Sequence, residues 1–224
     1  LRRTFIKSKS KQRTRAIWDD EKQQREEELL KWATSLYARH EYADIGIIDI
    51  CERAGLAKGS FYLYFDSKEE IFLRMAIKQI HTWNLTACSV LRALPVEAPS
   101  KISAQAYADS LAGFEIMLRL FSILHSVIEK NVAPEKIAEF KRAMIEIQQM
   151  QASEWMRVYP ALGQSKTIEL LSFISCAFVG IWTLSNPPAP GRKALELIGM
   201  QEMIRPFSEI FGAQLEIFLK GLLK

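Results

Sequence analysis

A chain of 224 residues with 49% hydrophobic and 25% charged side chains has apolar surface for one large or two small cores. That balance excludes a disordered polymer and a small disulfide scaffold. Its three cysteines, Cys51, Cys88 and Cys176, lie far apart in apolar stretches without metal-ligand spacing. They read as small buried hydrophobes of a reducing cytoplasm, with no metal or other cofactor expected. The net charge of +4 is unevenly placed, because Arg2, Arg3, Lys7, Lys9, Lys11, Arg13 and Arg15 precede the first acid. Residues 1–18 are therefore expected to form a basic arm, whereas acids outnumber bases from Trp18 to Glu70. Bulk charge does not mark a nucleic-acid binder here. Ala16, Ile17 and Trp18 are followed at once by Asp19, Asp20 and Glu21, which leaves no hydrophobic core for a secretory signal and predicts a cytoplasmic protein.

Helix-period patterns run nearly from end to end, without the sustained two-residue alternation of strands, so the fold class is all-α with about nine helices. The first begins at Asp19, Asp20 and Glu21, which suit the positive end of the dipole. It carries Leu29, Ala33, Leu36 and Tyr37 on one stripe, and should end near His40. A short second helix places Ile47, Ile50, Cys51 and Ala54 on its inner face and is stopped by Gly55. The third runs through Phe61 to Phe65. Ser67 with Glu70 three residues later makes a capping box for a fourth helix bearing Phe72, Ala76, Ile80 and Trp83 and reaching Leu94.

Pro95 to Pro99 reads as the clearest linker, with helices resuming near Ser103 and broken again at Asn131 to Pro134, Pro160 to Gly163 and Asn186 to Gly191. From Leu170 to Leu184 only Ser172, Ser175, Gly180 and Thr183 are not apolar. That helix, about fifteen residues long, falls short of the roughly 20 a membrane span needs and is expected to be a core or dimer helix, with no membrane partner. The last helix tolerates Pro206 at its start and puts Phe207, Phe211, Leu215, Phe218 and Leu222 on one stripe.

Two short helices joined at a glycine are the unit that presents its second helix to the DNA major groove. The run from Asp49 to Glu70 contains Ala54-Gly55, Lys58-Gly59, Phe61-Tyr62, Tyr64-Phe65 and Ser67-Lys68-Glu69. It strongly resembles the TetR family signature, over about Leu29 to Leu73. The resemblance implies a helix-turn-helix DNA-binding domain over 19–66 and a ligand-binding and dimerisation domain over 67–224, the latter beginning with the connecting fourth helix. Leu56, Phe61 and Phe65 are expected to wedge the recognition helix against Ile47, Ile50 and the first helix. Ala57, Lys58, Gly59, Ser60, Tyr62 and Tyr64 lie at or near the exposed end, as candidates for DNA contact. By similarity to the family, Tyr62 and Lys68 bind backbone phosphates and Lys58 and Ser60 lie nearer the bases. For Tyr64 simple packing is an alternative.

The chain departs from the family pattern at Glu41, where glycine is usual, at Ile45, where a threonine usually caps the second helix and touches phosphate, and at Ala57, often serine or threonine. Asp44 is a candidate replacement cap, and the basic arm could compensate by entering the minor groove or neutralising phosphates.

For the C-terminal part the resemblance implies a homodimer formed by the Leu170 to Leu184 helix and the last helix. Phe173, Ala177, Phe207, Phe211, Leu215 and Phe218 are the candidate interface residues, and Ser172, Ser175, Gly180, Gly212 and Ala213 would allow close approach. It also implies a ligand cavity among the middle helices, for which Trp83, Phe114, Met117, Phe121, His125, Trp155, Phe178 and Trp182 are candidates. An apolar or aromatic small-molecule effector is expected, with His125 or Tyr107 as a polar handle. The function so implied is a transcriptional regulator, commonly a repressor, on a palindromic operator. An enzyme is disfavoured: His40, His81 and His125 are scattered, and no nucleophile elbow or phosphate loop is found. The other alternative is a helical binding or scaffold protein whose helix-turn-helix no longer grips DNA, a reading raised by Glu41, Ile45 and Ala57.

Overall fold

A computed structural model describes the backbone of residues 2–224 and the side chains of residues 20–224, so the basic side chains of the expected arm lie outside the described residues. Among the described residues ten α-helices follow in order: α1 (Arg2–Tyr37), α2 (Ile47–Arg53), α3 (Lys58–Phe61), α4 (Lys68–Ala93), α5 (Ser100–Asp109), α6 (Glu115–Ile123), α7 (Pro134–Val158), α8 (Gly163–Ser185), α9 (Ala189–Leu197) and α10 (Phe207–Leu222). No strand occurs among the described residues, as the helical periodicity requires. The chain divides into two compact units, residues 1–75 and 76–224.

In the first unit Leu29, Ala33 and Tyr37 of α1 meet a core containing Ile50, Cys51, Phe61, Phe65 and Phe72. Tyr37 and Tyr42 both turn ring edges toward Phe72, at 5.2 and 4.9 Å between centroids, a favoured aromatic geometry. Ile45 is also buried, at 3% exposure. It is thus a core residue of this unit, contributing apolar burial. Asp44 does not cap α2. It closes a 3₁₀ turn over Tyr42–Asp44, while Gly46 occupies the cap position and donates its N–H to the Asp49 carboxylate at 2.7 Å. Gly55, at φ +67°, ends α2 as expected.

The recognition helix is shorter than the aromatic spacing suggests. α3 closes after Phe61, and Tyr62 to Tyr64 form a turn whose amides fold back on Ser60 and Phe61, which still carries Phe65 into the core. The α4 start has its box: Ser67 Oγ accepts the Glu70 N–H at 3.1 Å, and the Glu70 carboxylate accepts the Asp66 N–H at 2.7 Å.

In the second unit α10 packs along α5 and α8, and α8 also meets α6 and α7. Trp83, Tyr107, Trp155, Phe178 and Phe211 are the large side chains at its centre. A buried polar chain crosses them: the Tyr107 hydroxyl donates to Gln151 Oε1 at 2.6 Å, and Gln151 Nε2 donates to Asn84 Oδ1 at 2.9 Å. The expected linker is pinned. Glu97 N–H reaches the Val158 carbonyl at 2.8 Å, and the Tyr159 hydroxyl donates to the buried Ala98 carbonyl at 2.7 Å.

α8 has 23 residues, more than the apolar run alone suggested, because the helix extends back to Gly163. The 26-residue segment Pro160–Ser185 is long enough to cross a membrane and contains an 18-residue window of mean hydropathy 1.7, of which 39% is buried. Leu170, Leu171, Ile174, Phe178 and Ile181 of this helix are buried in the unit's core, while Ile168 and Leu184 near its ends are exposed.

Replacing Tyr107 by Phe should strand the buried Gln151 carbonyl oxygen and cost about 1–3 kcal/mol, as for other orphaned buried acceptors. Urea unfolding at fixed protomer concentration reads this directly; an unchanged midpoint would show that the hydrogen bond contributes nothing.

Candidate nucleic-acid interface

α3 separates two kinds of side chain within one turn. Phe61 is fully buried, while Ala57, Lys58 and Gly59 are exposed, Ser60 is half-buried and Tyr62 is 52% exposed. The first turn of a helix offers free backbone N–H groups, and no side chain caps α3. Lys58, Ser60 and Tyr62 add an ammonium and two hydroxyls within the same five residues. Such donors suit phosphate oxygens and base edges, and Gly59 leaves open space above its Cα for close approach. Tyr64 sits differently. It is half-buried beside Leu63 in an open groove whose other wall is Glu21, Lys22, Gln24, Arg25 and Glu28 of α1. Glu21 and Glu28 balance Lys22 and Arg25 there, so this wall offers phosphate little net attraction.

Lys68 is held by a residue that sequence reasoning missed. Its Nζ lies 3.8 Å from the Tyr42 ring centroid and donates to the Tyr42 backbone carbonyl at 2.5 Å. The Tyr42 hydroxyl in turn donates to the Glu69 carboxylate. Burial, then the hydrogen bond to Glu69 and its charge, pushes the Tyr42 phenol far above its ordinary range, so the ring is a neutral donor at any physiological pH. Burial also lowers the Lys68 ammonium, against the opposing pull of Glu69, Asp44 and Asp49. An ammonium has three donors, so the Tyr42 carbonyl leaves two for another acceptor. The 26-residue separation of Tyr42 and Lys68 gives no local periodic signal.

Of the residues expected at a ligand cavity, Trp83, Phe121 and Phe178 converge on one. They are joined by Ile80, Ile147 and Gln151 around a space of about 40 Å³. That volume is far below the roughly 300–1,000 Å³ of ordinary small-molecule sites. Phe114 is half-buried and Met117 buried, and Trp155 is fully buried against Tyr107 and Tyr159, all outside this lining. Trp182 lies in a separate cleft. His125 is exposed, and its Nδ1 pairs with Glu129 at 2.8 Å, so it is not a handle inside the cavity. Tyr107 is fully buried but spends its hydroxyl on Gln151.

The residues expected at a dimer interface mostly join α8 to α10 within one subunit. Phe211 and Leu215 are completely buried, Ala177 is 9% exposed, and Phe173 stacks on Phe218 with centroids 4.2 Å apart. Phe207 stacks on Phe211 at 5.4 Å. Gly212 serves α5, since an added Cβ would stand 2.9 Å from Gln105 Oε1. The stripe left exposed is different: Ile168, Ser172, Cys176, Gly180 and Leu184 at four-residue spacing along α8, with Ile217 and Gly221 on α10.

Comparison with known proteins agrees with this architecture. The model for the tetracyclin repressor-like C-terminal domain matches residues 83–224, more than half the chain, and the model for bacterial regulatory proteins of the tetR family matches residues 29–75. A crystal structure of a protein assigned to the TetR-family transcriptional regulators, from Mesorhizobium loti, superimposes with a TM-score of 0.52. It is 16% identical, and the match covers 90% of this chain and 96% of that one, a likeness of fold. No curated protein matches. With a DNA-binding helix-turn-helix at one end and the repressor-like helical domain at the other, the chain belongs to the TetR family of transcriptional regulators.

Proposed function

We propose that the protein is a cytoplasmic repressor that binds a palindromic operator as a homodimer and leaves it when a small apolar or aromatic effector enters the C-terminal unit. The observation that carries the DNA reading is the contrast at α3 between a buried Phe61 and exposed Lys58, Gly59 and, just after the helix, Tyr62, with Ser60 half-buried. Lys58 and Ser60 read base edges, Tyr62 binds phosphate, and Lys68 binds phosphate from the start of α4, where the helix dipole assists. Ala57 permits close approach.

The dimer forms through the outer stripe of α8 and α10, where Gly180 and Ser172 let helices approach and Ile168, Leu184 and Ile217 supply apolar area. The effector occupies the space between Trp83, Phe121 and Phe178, with the Gln151 carboxamide as its polar contact. Because that space is small, effector entry must move side chains. It therefore selects a minor arrangement, and the selection is what biases the DNA-bound state. α4, which contains both Lys68 and Trp83, is the element through which that bias travels.

Binding to duplex DNA from the upstream region of its own gene, titrated across salt concentrations, tests the reading. Lys58→Ala should weaken binding by about 1–3 kcal/mol and relax base preference at the position it reads, whereas Tyr62→Phe should lose only the hydroxyl's hydrogen bond and keep the salt slope. Equal affinity of both variants and wild type would remove α3 from the interface. For the dimer, Leu184→Glu combined with Ile217→Lys should produce monomers in sedimentation at micromolar protein and abolish operator binding; an intact dimer would place the interface elsewhere.

A further inference from the structure

We propose that a second cleft in the C-terminal unit, separate from the cavity beside Trp83, binds a small carboxylate with an aromatic body. The cleft has a volume of about 520 Å³ and lies between the α5–α6 turn, the end of α8, α9 and the start of α10. That volume is in the usual range for small-molecule sites, about 300–1,000 Å³. Its apolar side is built by Trp182 and Phe207, whose rings meet edge to face at 5.8 Å, together with Leu111 and Leu118.

Its polar side carries Ser185, Asn186, Arg192, Arg205 and Ser208, with Asp109 and Glu115 opposite in charge to the two arginines. Ser185, the last residue of α8, lines the cleft and is 6% exposed, yet its hydroxyl has no hydrogen-bond partner. A buried hydroxyl left so costs free energy unless something in the cleft satisfies it. Arg192 donates its Nε to the Pro187 carbonyl at 3.0 Å, which fixes the guanidinium and leaves its two terminal groups as a fork. Arg205 meets a carboxylate only loosely, Glu209 at 3.6 Å with both side chains exposed. The first turn of α10, directly after Pro206, has no side-chain cap, so its amide N–H groups also face an anion favourably.

The two acids on the rim are already engaged: Asp109 accepts the Gln105 amide at 2.8 Å and Glu115 accepts the Gly113 N–H at 3.2 Å. A planar carboxylate answers the arginine fork, the hydroxyl and the helix start together, and an aromatic body answers Trp182 and Phe207. This site does not depend on the DNA reading, because every residue in it belongs to the C-terminal unit.

The probes are 1-naphthoate and its uncharged amide, 1-naphthamide, titrated calorimetrically into the full-length protein. Naphthoate should bind saturably, with the amide weaker by about tenfold or more, as expected for loss of a charge-assisted pair. The double variant Arg192→Gln/Arg205→Gln, at two exposed positions, should lose naphthoate binding by about the same factor while keeping its circular dichroism and thermal midpoint. Filling the other cavity with Ile147→Phe should leave naphthoate binding unchanged. Absence of saturation at millimolar naphthoate, equal binding of the amide, or undiminished binding by the arginine variant would each overturn the proposal.

Discussion

The burial of Phe61 and Phe65 is the constraint from which the rest of the DNA-reading unit follows. α3 is one turn long, and a helix of that length has no stability of its own, since isolated helices below about 12–15 residues are marginal in water. Its direction is therefore set by what its aromatic side chains dock against, the surface made by Ile50, Cys51, Leu29 and Phe72. The same docking leaves Lys58 and Tyr62 exposed and Ser60 half-buried. Ile45 extends that core with further apolar burial.

A second constraint is electrostatic. Lys68 sits among Asp44, Asp49 and Glu69, which favour its charge, and in a partly buried position, which opposes it. The Tyr42 ring and carbonyl fix where the ammonium points. A lysine on a flexible stem normally loses rotamer freedom when it binds an anion; one already held by a ring has less to lose. The same idea, groups fixed before the partner arrives, describes Arg192 against Pro187.

Much of this was legible in the sequence wherever a local rule and the global fold agree. Gly55, the Ser67 to Glu70 box and the all-helical periodicity depend on neighbours within a few residues and appeared where expected. The length of α3 was overestimated because Phe61 and Phe65 keep helical spacing even though the chain between them is a turn. A long apolar stripe marks burial without saying by which chain: Phe211 and Leu215 are buried within their own subunit, and Phe218 stacks on Phe173 of its own α8. His125 carried no periodic signal to separate a core histidine from the exposed partner of Glu129. Tyr42 and Lys68 could not have been paired at all, since their contact depends on tertiary structure alone.

The central claim is that α3 reads sequence as one of two symmetric halves. Selection of bound duplexes from random DNA by the purified protein tests it most directly. The account predicts enrichment of an inverted repeat whose half-sites lie about one helical turn, roughly 34 Å, apart or a multiple of it, with bases at fixed positions in each half. Recovery of unrelated sequences, or of a single unrepeated site, would contradict it.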